Sequence, residues 1–275
     1  MGATAKTEPL VAPGRPRLSG LATLFPGYFA LVMATGIVSI GAHIHGLEVV
    51  AQSLFWLNVL FYAVLWGLTG LRLLRFRQQL LQDLVSPTRG AGFLTKVAGT
   101  CVLGSQVAIL TPWLKAAEFF WWLGLALWVG LIYTFFTAVI VRENKPTLEA
   151  GISGGWLVAV VSTESICVLG AQLSPRLAAP DLVLLISLVT YFIGAMLYLL
   201  LITLILYRWA FFTLKAEQLM PPYWINMGAL AITTLAGTRL LLAAEKWRLL
   251  RDLSPFLTGF TFFFWAAGSW WIPLL

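Results

Sequence analysis

The sequence predicts an all-α integral membrane protein with eight transmembrane helices, arranged as helical hairpins around a central pore. Three observations predict it. Of 275 residues, 60% are hydrophobic and 11% are charged, against about 25% charged in soluble domains. Apolar runs of about 20 residues, the length that crosses a bilayer, recur along the chain. Those runs alternate between two compositions. The net charge of +7 does not imply nucleic acid as a partner. The basic residues sit in short loops between apolar runs, where they set topology and meet anionic lipid headgroups.

Residues 1–21 hold Lys6, Arg15, Arg17 and three prolines, and read as a flexible cytoplasmic tail without a cleavable signal. The membrane domain is expected over 22–275, with spans near 25–45, 51–72, 91–111, 117–141, 150–170, 182–207, 222–243 and 255–275. Pro87, Pro112, Pro146, Pro175, Pro180, Pro221 and Pro222 punctuate them. Span one carries Thr35, Gly36 and Ser39 and ends on His43 and His45, an H-x-H with no evident third ligand. Span three carries Lys96, Thr100, Ser105 and Gln106. Span five carries Ser162, Thr163 and Glu164. Span seven carries Asn226, Thr233, Thr234, Thr238 and Arg239. The eighth run ends WWIPLL at Leu275 without a polar flank, so a natural continuation is expected.

In 21-residue windows, the odd spans hold 8, 10, 10 and 9 Gly, Ala, Ser and Thr residues; the even spans hold 6, 6, 4 and 7. The even spans carry bulk instead, as in EFFWWLGLALWVGLIYTFF and LVLLISLVTYFIGAMLYLLL. Small residues let helix backbones approach closely, and hydroxyls suit a wet or protein-facing surface. The arrangement expected is therefore odd helices inside and even helices outside. The plainer alternative is a well-packed interior with no pore. Hydroxyls and amides can replace part of an ion's hydration shell, which makes Thr35, Gly36, Lys96, Thr100, Ser105, Thr163, Glu164, Thr233, Thr234 and Arg239 the candidate pathway residues.

The tail and the loops after spans two, four and six collect most of the Lys and Arg, so the N-terminus is expected in the cytoplasm. Arg239, Lys246, Arg248 and Arg251 form a basic cluster on the opposite side. No P-loop, HExxH or paired-cysteine motif occurs. No cofactor, no metal and no ATP-driven step is expected. Cys101 and Cys167 lie inside apolar runs and read as small buried side chains. The pair Gly151 and Gly155 in GISGG has GxxxG spacing and reads as close helix packing.

The segments FPGYFALVMATG, GGWLVAVVST, PPYWINMGALAITT and PFLTGFTFFFWAAGSWWIPLL together resemble the tellurite-resistance/dicarboxylate transporter family. That family includes bacterial tellurite-resistance permeases, yeast malate and sulfite permeases and plant slow anion channels. The resemblance covers residues 22–275. It implies ten helices in five hairpins, of which eight are present here, with the odd helices lining the pore and a homotrimeric assembly. It implies small anions as partners, such as C4-dicarboxylates (malate), sulfite, tellurite or chloride, in a multi-pass protein of the cell (inner) membrane that is not an enzyme. Two departures stand out. The family's ninth helix, which carries a pore-plugging phenylalanine, would follow WWIPLL, so no gate residue carries over. The odd spans also lack the family's central prolines, and glycines such as Gly36, Gly99 and Gly104 would have to supply any bend.

Glu164 is the anomaly, since an anion pore should not display a bare carboxylate and burying its charge costs several kcal/mol. Three readings stay open. It pairs with Arg239, which the helix rise places roughly 6 Å away in depth; it is protonated and couples proton movement to a dicarboxylate; or it hydrogen-bonds a neighbouring helix. A membrane-embedded enzyme built on His43, His45 and Glu164 is the rival from another class, and an inactive fragment is a third possibility.

Overall fold

The computed structural model describes residues 20–213 and 221–274. Most of the expected tail, Lys215 and Leu275 lie outside the described residues. Ten α-helices and no strand occur among the described residues: α1 (Ala30–Ile44), α2 (Glu48–Arg75), α3 (Arg77–Leu84), α4 (Thr95–Leu110), α5 (Leu114–Val141), α6 (Leu148–Gly151), α7 (Val158–Leu173), α8 (Pro180–Phe211), α9 (Ile225–Ala243) and α10 (Arg248–Trp271).

Seven helices, not eight, are long and apolar enough to cross a membrane among the described residues. The one that falls short is α10. Arg248, Arg251 and Asp252 occupy its beginning, Pro255 sits inside it, and Ser, Thr, Gly and Trp dilute the rest. It still packs as the partner of α9.

The helices pair as four hairpins, α1–α2, α4–α5, α7–α8 and α9–α10, and the first members pack in sequence, α1 on α4, α4 on α7 and α7 on α9. Composition explains the sidedness. The windows of α4 and α7 are 83% and 94% buried, those of α2 and α5 only 11% and 22%. The contrast weakens at α1 and α9, the two ends of this arc, and at α8, which is half-buried because it packs on both α7 and α9.

Each inner helix begins in the same way. A Gly- or Pro-rich 3-10 turn (Pro26–Phe29, Gly90–Leu94, Gly154–Leu157, Pro221–Trp224) runs directly into the α-helix. Proline suits a first turn because its missing N–H would have found no intrahelical acceptor. Successive turns touch one another, and backbone meets backbone where they do. A Cβ on Gly92 would lie 3.1 Å from Gly27 N, and one on Gly154 would overlap the backbone of Pro222 and Tyr223. The expected GxxxG contact is therefore replaced. GISGG runs from the end of the short α6 into the 3-10 turn rather than along one helix; Gly151 faces Pro146, and Gly154 makes the close approach.

Gly36, Gly99 and Gly104 lie within continuous α-helix and serve as contact points. Gly36 meets Val102, Asn58 and Gln106; Gly99 meets Phe29 and Val32; Gly104 meets Leu169 and Phe120. Outer helix α5 docks through a stripe at helical spacing, Ala117, Trp121, Gly124, Trp128 and Phe135. Trp121 Nε1 donates to Ile166 O (3.1 Å) and Trp128 Nε1 donates to Thr163 Oγ1 (2.8 Å).

The short α3 was not legible as an element. It returns against α2, where the Asp83 carboxylate accepts from Arg72 Nη2 (2.6 Å) and forms an ion pair with Arg89, whose Nε lies 2.8 Å away. Arg72 also donates to the carbonyls of Leu24 and Ala22, 2.9 Å each. This ionic clamp fixes the segment leading into the first 3-10 turn.

The backbone contact at Gly154 leaves no side chain free to yield, whereas a Cβ at Gly130 meets nothing within 4 Å. Gly154→Val is expected to destabilise by about 2–3 kcal/mol, and Gly130→Ala to stabilise by about 0.5–1 kcal/mol. Thermal unfolding of the detergent-purified variants checks the order; equal stabilities would contradict the turn packing.

Candidate functional site

The four inner helices border a partly open cavity of about 320 Å3. Its wall repeats at helical spacing. Met33, Ile37 and Ile40 come from α1; Cys101, Ser105 and Ile109 from α4; Val161, Ser165, Val168 and Gln172 from α7; and Gly228, Ile232, Leu235 and Arg239 from α9. Arg239 is the one charged residue among the described lining. A second, more polar space of about 360 Å3 adjoins it and shares Ile109, Gln172 and Arg239. Arg176 and Lys246 complete that vestibule with three cations and no carboxylate.

The helix ends divide the charge further. The vestibule lies at the C-terminal ends of α4, α7 and α9, each equivalent to roughly half a negative charge. Arg176, Arg239 and Lys246 more than offset them. The opposite end gathers the N-termini of the inner helices, where the macrodipoles are positive.

Of the ten candidate pathway residues, Ser105 and Arg239 border the central cavity. Thr35 is half-buried on α1 beside the packed Gly36. Thr100 donates to Lys96 O (2.7 Å) and meets Tyr62 of the outer helix α2 (3.0 Å). Thr163 donates to Ala159 O (2.7 Å) and accepts from Trp128. Thr233 and Thr234 donate back to Ala229 O and Leu230 O, 2.8 Å each, and Thr234 borders a groove between α9 and α10. Most of these hydroxyls are thus engaged by their own helix. Ser165 and Gln172 border the cavity and were not among the candidates. Stepping back from Arg239 at helical spacing, and marking the same face on α7, would have found them.

Lys96 stands on another face of α4. It is 5% exposed, with its Nζ 4.4 Å from the Phe93 ring centre and 5.0 Å from that of Phe29. No carboxylate among the described residues pairs with it. Desolvating an ammonium costs several kcal/mol, and a desolvated cation–π contact returns about 2 kcal/mol. The two rings at best balance that cost, and Arg72 shares the same small cavity.

Glu164 is fully buried; its carboxyl oxygens make no well-aligned hydrogen bond, and the Thr233 hydroxyl is the polar group beside them. It does not pair with Arg239. The carboxyl projects toward Gly194 of α8, where a Cβ would lie 2.7 Å from its Cδ, while Arg239 borders the cavity and vestibule. The rival enzyme residues are not brought together either. His43 Nδ1 contacts Glu48 (2.8 Å) at the end of α1, and no group of three His, Cys, Asp or Glu able to hold a metal occurs among the described residues.

Comparison with known proteins gives three findings. The family model described as voltage-dependent anion channel (SLAC1) matches residues 23–275. An uncharacterized transporter of Methanocaldococcus jannaschii is 26% identical over 269 residues, covering 93% of this chain and 74% of that protein. A second uncharacterized transporter of the same organism is 23% identical over 258 residues, covering 89% of this chain and 72% of its own length.

Because Glu164 has no ionic partner, Glu164→Gln is expected to leave stability within about 1 kcal/mol of the parent; breaking a buried pair would cost about 3–5 kcal/mol. Gly194→Ala is expected to cost about 1–3 kcal/mol by overpacking, and Glu164→Ala in the same chain to relieve it. Chemical or thermal unfolding of the three variants tests the contact, and a Gly194→Ala cost that persists beside Glu164→Ala would contradict it.

Proposed function

The chain belongs to the voltage-dependent anion channel (SLAC1) family, and on that premise we propose that its inner helices form the path of a small anion. The cavity between α1, α4, α7 and α9 is the observation that carries this reading, because its one charged lining residue is a cation. Anions gather in the vestibule at Arg176 and Lys246, pass Arg239 and Gln172, and traverse an apolar wall relieved by Ser105 and Ser165. Beyond it the positive ends of the inner helices favour continued movement. Such a path needs desolvation and diffusion but no covalent step.

C4-dicarboxylates such as malate, sulfite, tellurite and chloride are the substrates proposed, carried passively or with a proton. Glu164 would be the proton site in a coupled carrier, since its buried carboxyl has no cationic partner among the described residues. The setting proposed is a homotrimer in the cell membrane with the N-terminus cytoplasmic. The distribution of Lys and Arg among the loops supports that orientation.

Flux into proteoliposomes tests the reading. Malate, sulfite and chloride are offered with and without an inward proton gradient. Arg239→Gln is expected to cut anion flux about tenfold, the lower end of what a focused charge contributes to capture, while Arg239→Lys keeps most of it. Unchanged flux in Arg239→Gln would exclude this cavity as the path. Uphill uptake that needs the gradient and vanishes in Glu164→Gln would identify a proton-coupled carrier; downhill flux indifferent to both would identify a channel.

A further inference from the structure

A second cationic site lies at the other end of the inner helices and away from the cavity. Lys96 precedes Ser105 by nine residues, two and a half turns of α4, so the two face opposite ways. Lys96 lines a cavity of about 10 Å3 with Arg72, Thr69, Phe29, Phe93 and Leu80. That is about the least space that holds one water molecule, so a monatomic anion, somewhat larger, enters with a small outward shift of the lining side chains.

The electrostatics of this pocket do not close with the described residues alone. Lys96 and Arg72 are 5% and 3% exposed. Arg72 Nε is buried and has no acceptor. Asp83 is the one nearby carboxylate in the clamp, and it is already shared between Arg72 and Arg89. Lys96 is also the second residue of α4, so it adds its charge to the positive end of a helix rather than to the negative end that cations favour. The 3-10 turn that leads into α1 borders the same space through Pro26 and Phe29. Two cations and two positive helix ends thus converge where one carboxylate, itself shared, supplies the only described negative charge.

We infer that this pocket binds a single monatomic anion, a halide, held by Lys96 and Arg72. The anion supplies the missing acceptor and ties α4 to α2 and to the start of α1, over which α3 closes through Leu80. It is a structural site, distinct from the conducting cavity, and it does not depend on the transport reading. A water molecule would satisfy a donor but would leave the charge uncompensated.

The test uses the full chain in detergent at constant ionic strength, with chloride compared against gluconate, which is too large for the pocket. Chloride is expected to raise the melting temperature by at least about 2 °C. Lys96→Gln is expected to abolish the shift, while Arg239→Gln, in the vestibule, retains it. Should Lys96→Gln fail to fold, crystals of the parent chain grown in bromide decide the matter. An anomalous peak within hydrogen-bonding reach of Lys96 Nζ supports the site. A chloride shift that survives Lys96→Gln, bromide found only in the vestibule, or water alone at Lys96 would overturn it.

Discussion

Close approach around α7 is the constraint on which the rest of the structure depends. This helix packs at once against α4, α5, α8 and α9, and it can do so only because its surface is made of small residues. Gly170 accepts Trp121 and Ser187 at contact distance, Thr163 accepts the Trp128 indole, and Gly194 of α8 makes space for Glu164. With α7 fixed, its remaining face (Val161, Ser165, Val168, Gln172) is the part left bordering open space, and α1, α4 and α9 supply the other lining of that partly open cavity. The same crowding removes Glu164 from water and from every described cation.

The parallel direction of the inner helices then sets the electrostatics. Their N-terminal turns meet at one end, and their C-termini surround the vestibule at the other. The negative helix ends at the vestibule would repel an anion, and Arg176, Arg239 and Lys246 reverse that sign. At the opposite end the helix termini already carry positive character. Lys96 and Arg72 add to it, with Asp83, already shared with Arg89, as the one described carboxylate beside them.

Much of the architecture was legible because it follows from side-chain size. The excess of Gly, Ala, Ser and Thr in the odd spans identified α4 and α7 as interior helices. The Trp- and Phe-rich even spans gave the outer layer. The break between α2 and α3 was not legible. It turns on the backbone of Phe76 (φ −135°, ψ 42°), with no Gly or Pro to mark it. GISGG misled because GxxxG spacing means close helix packing only inside a helix. The candidate site was the least legible part. Hydroxyl content suggested Thr100, Thr163 and Thr233, but a hydroxyl that bonds its own helix can face any direction. Facing is decided by register, and the register that matters starts from Arg239.

Accessibility along that register tests the central claim most directly. In a chain with Cys101 and Cys167 replaced, single cysteines at Ser105 and Ser165 would be treated with a small anionic thiol reagent during flux measurements, beside controls at Thr163 and Thr233. The account predicts that modification at Ser105 and Ser165, which border the cavity, blocks anion flux and that the control positions, which do not, neither react nor alter it. Flux that continues unchanged after both serine positions are fully modified would contradict a path through the central cavity.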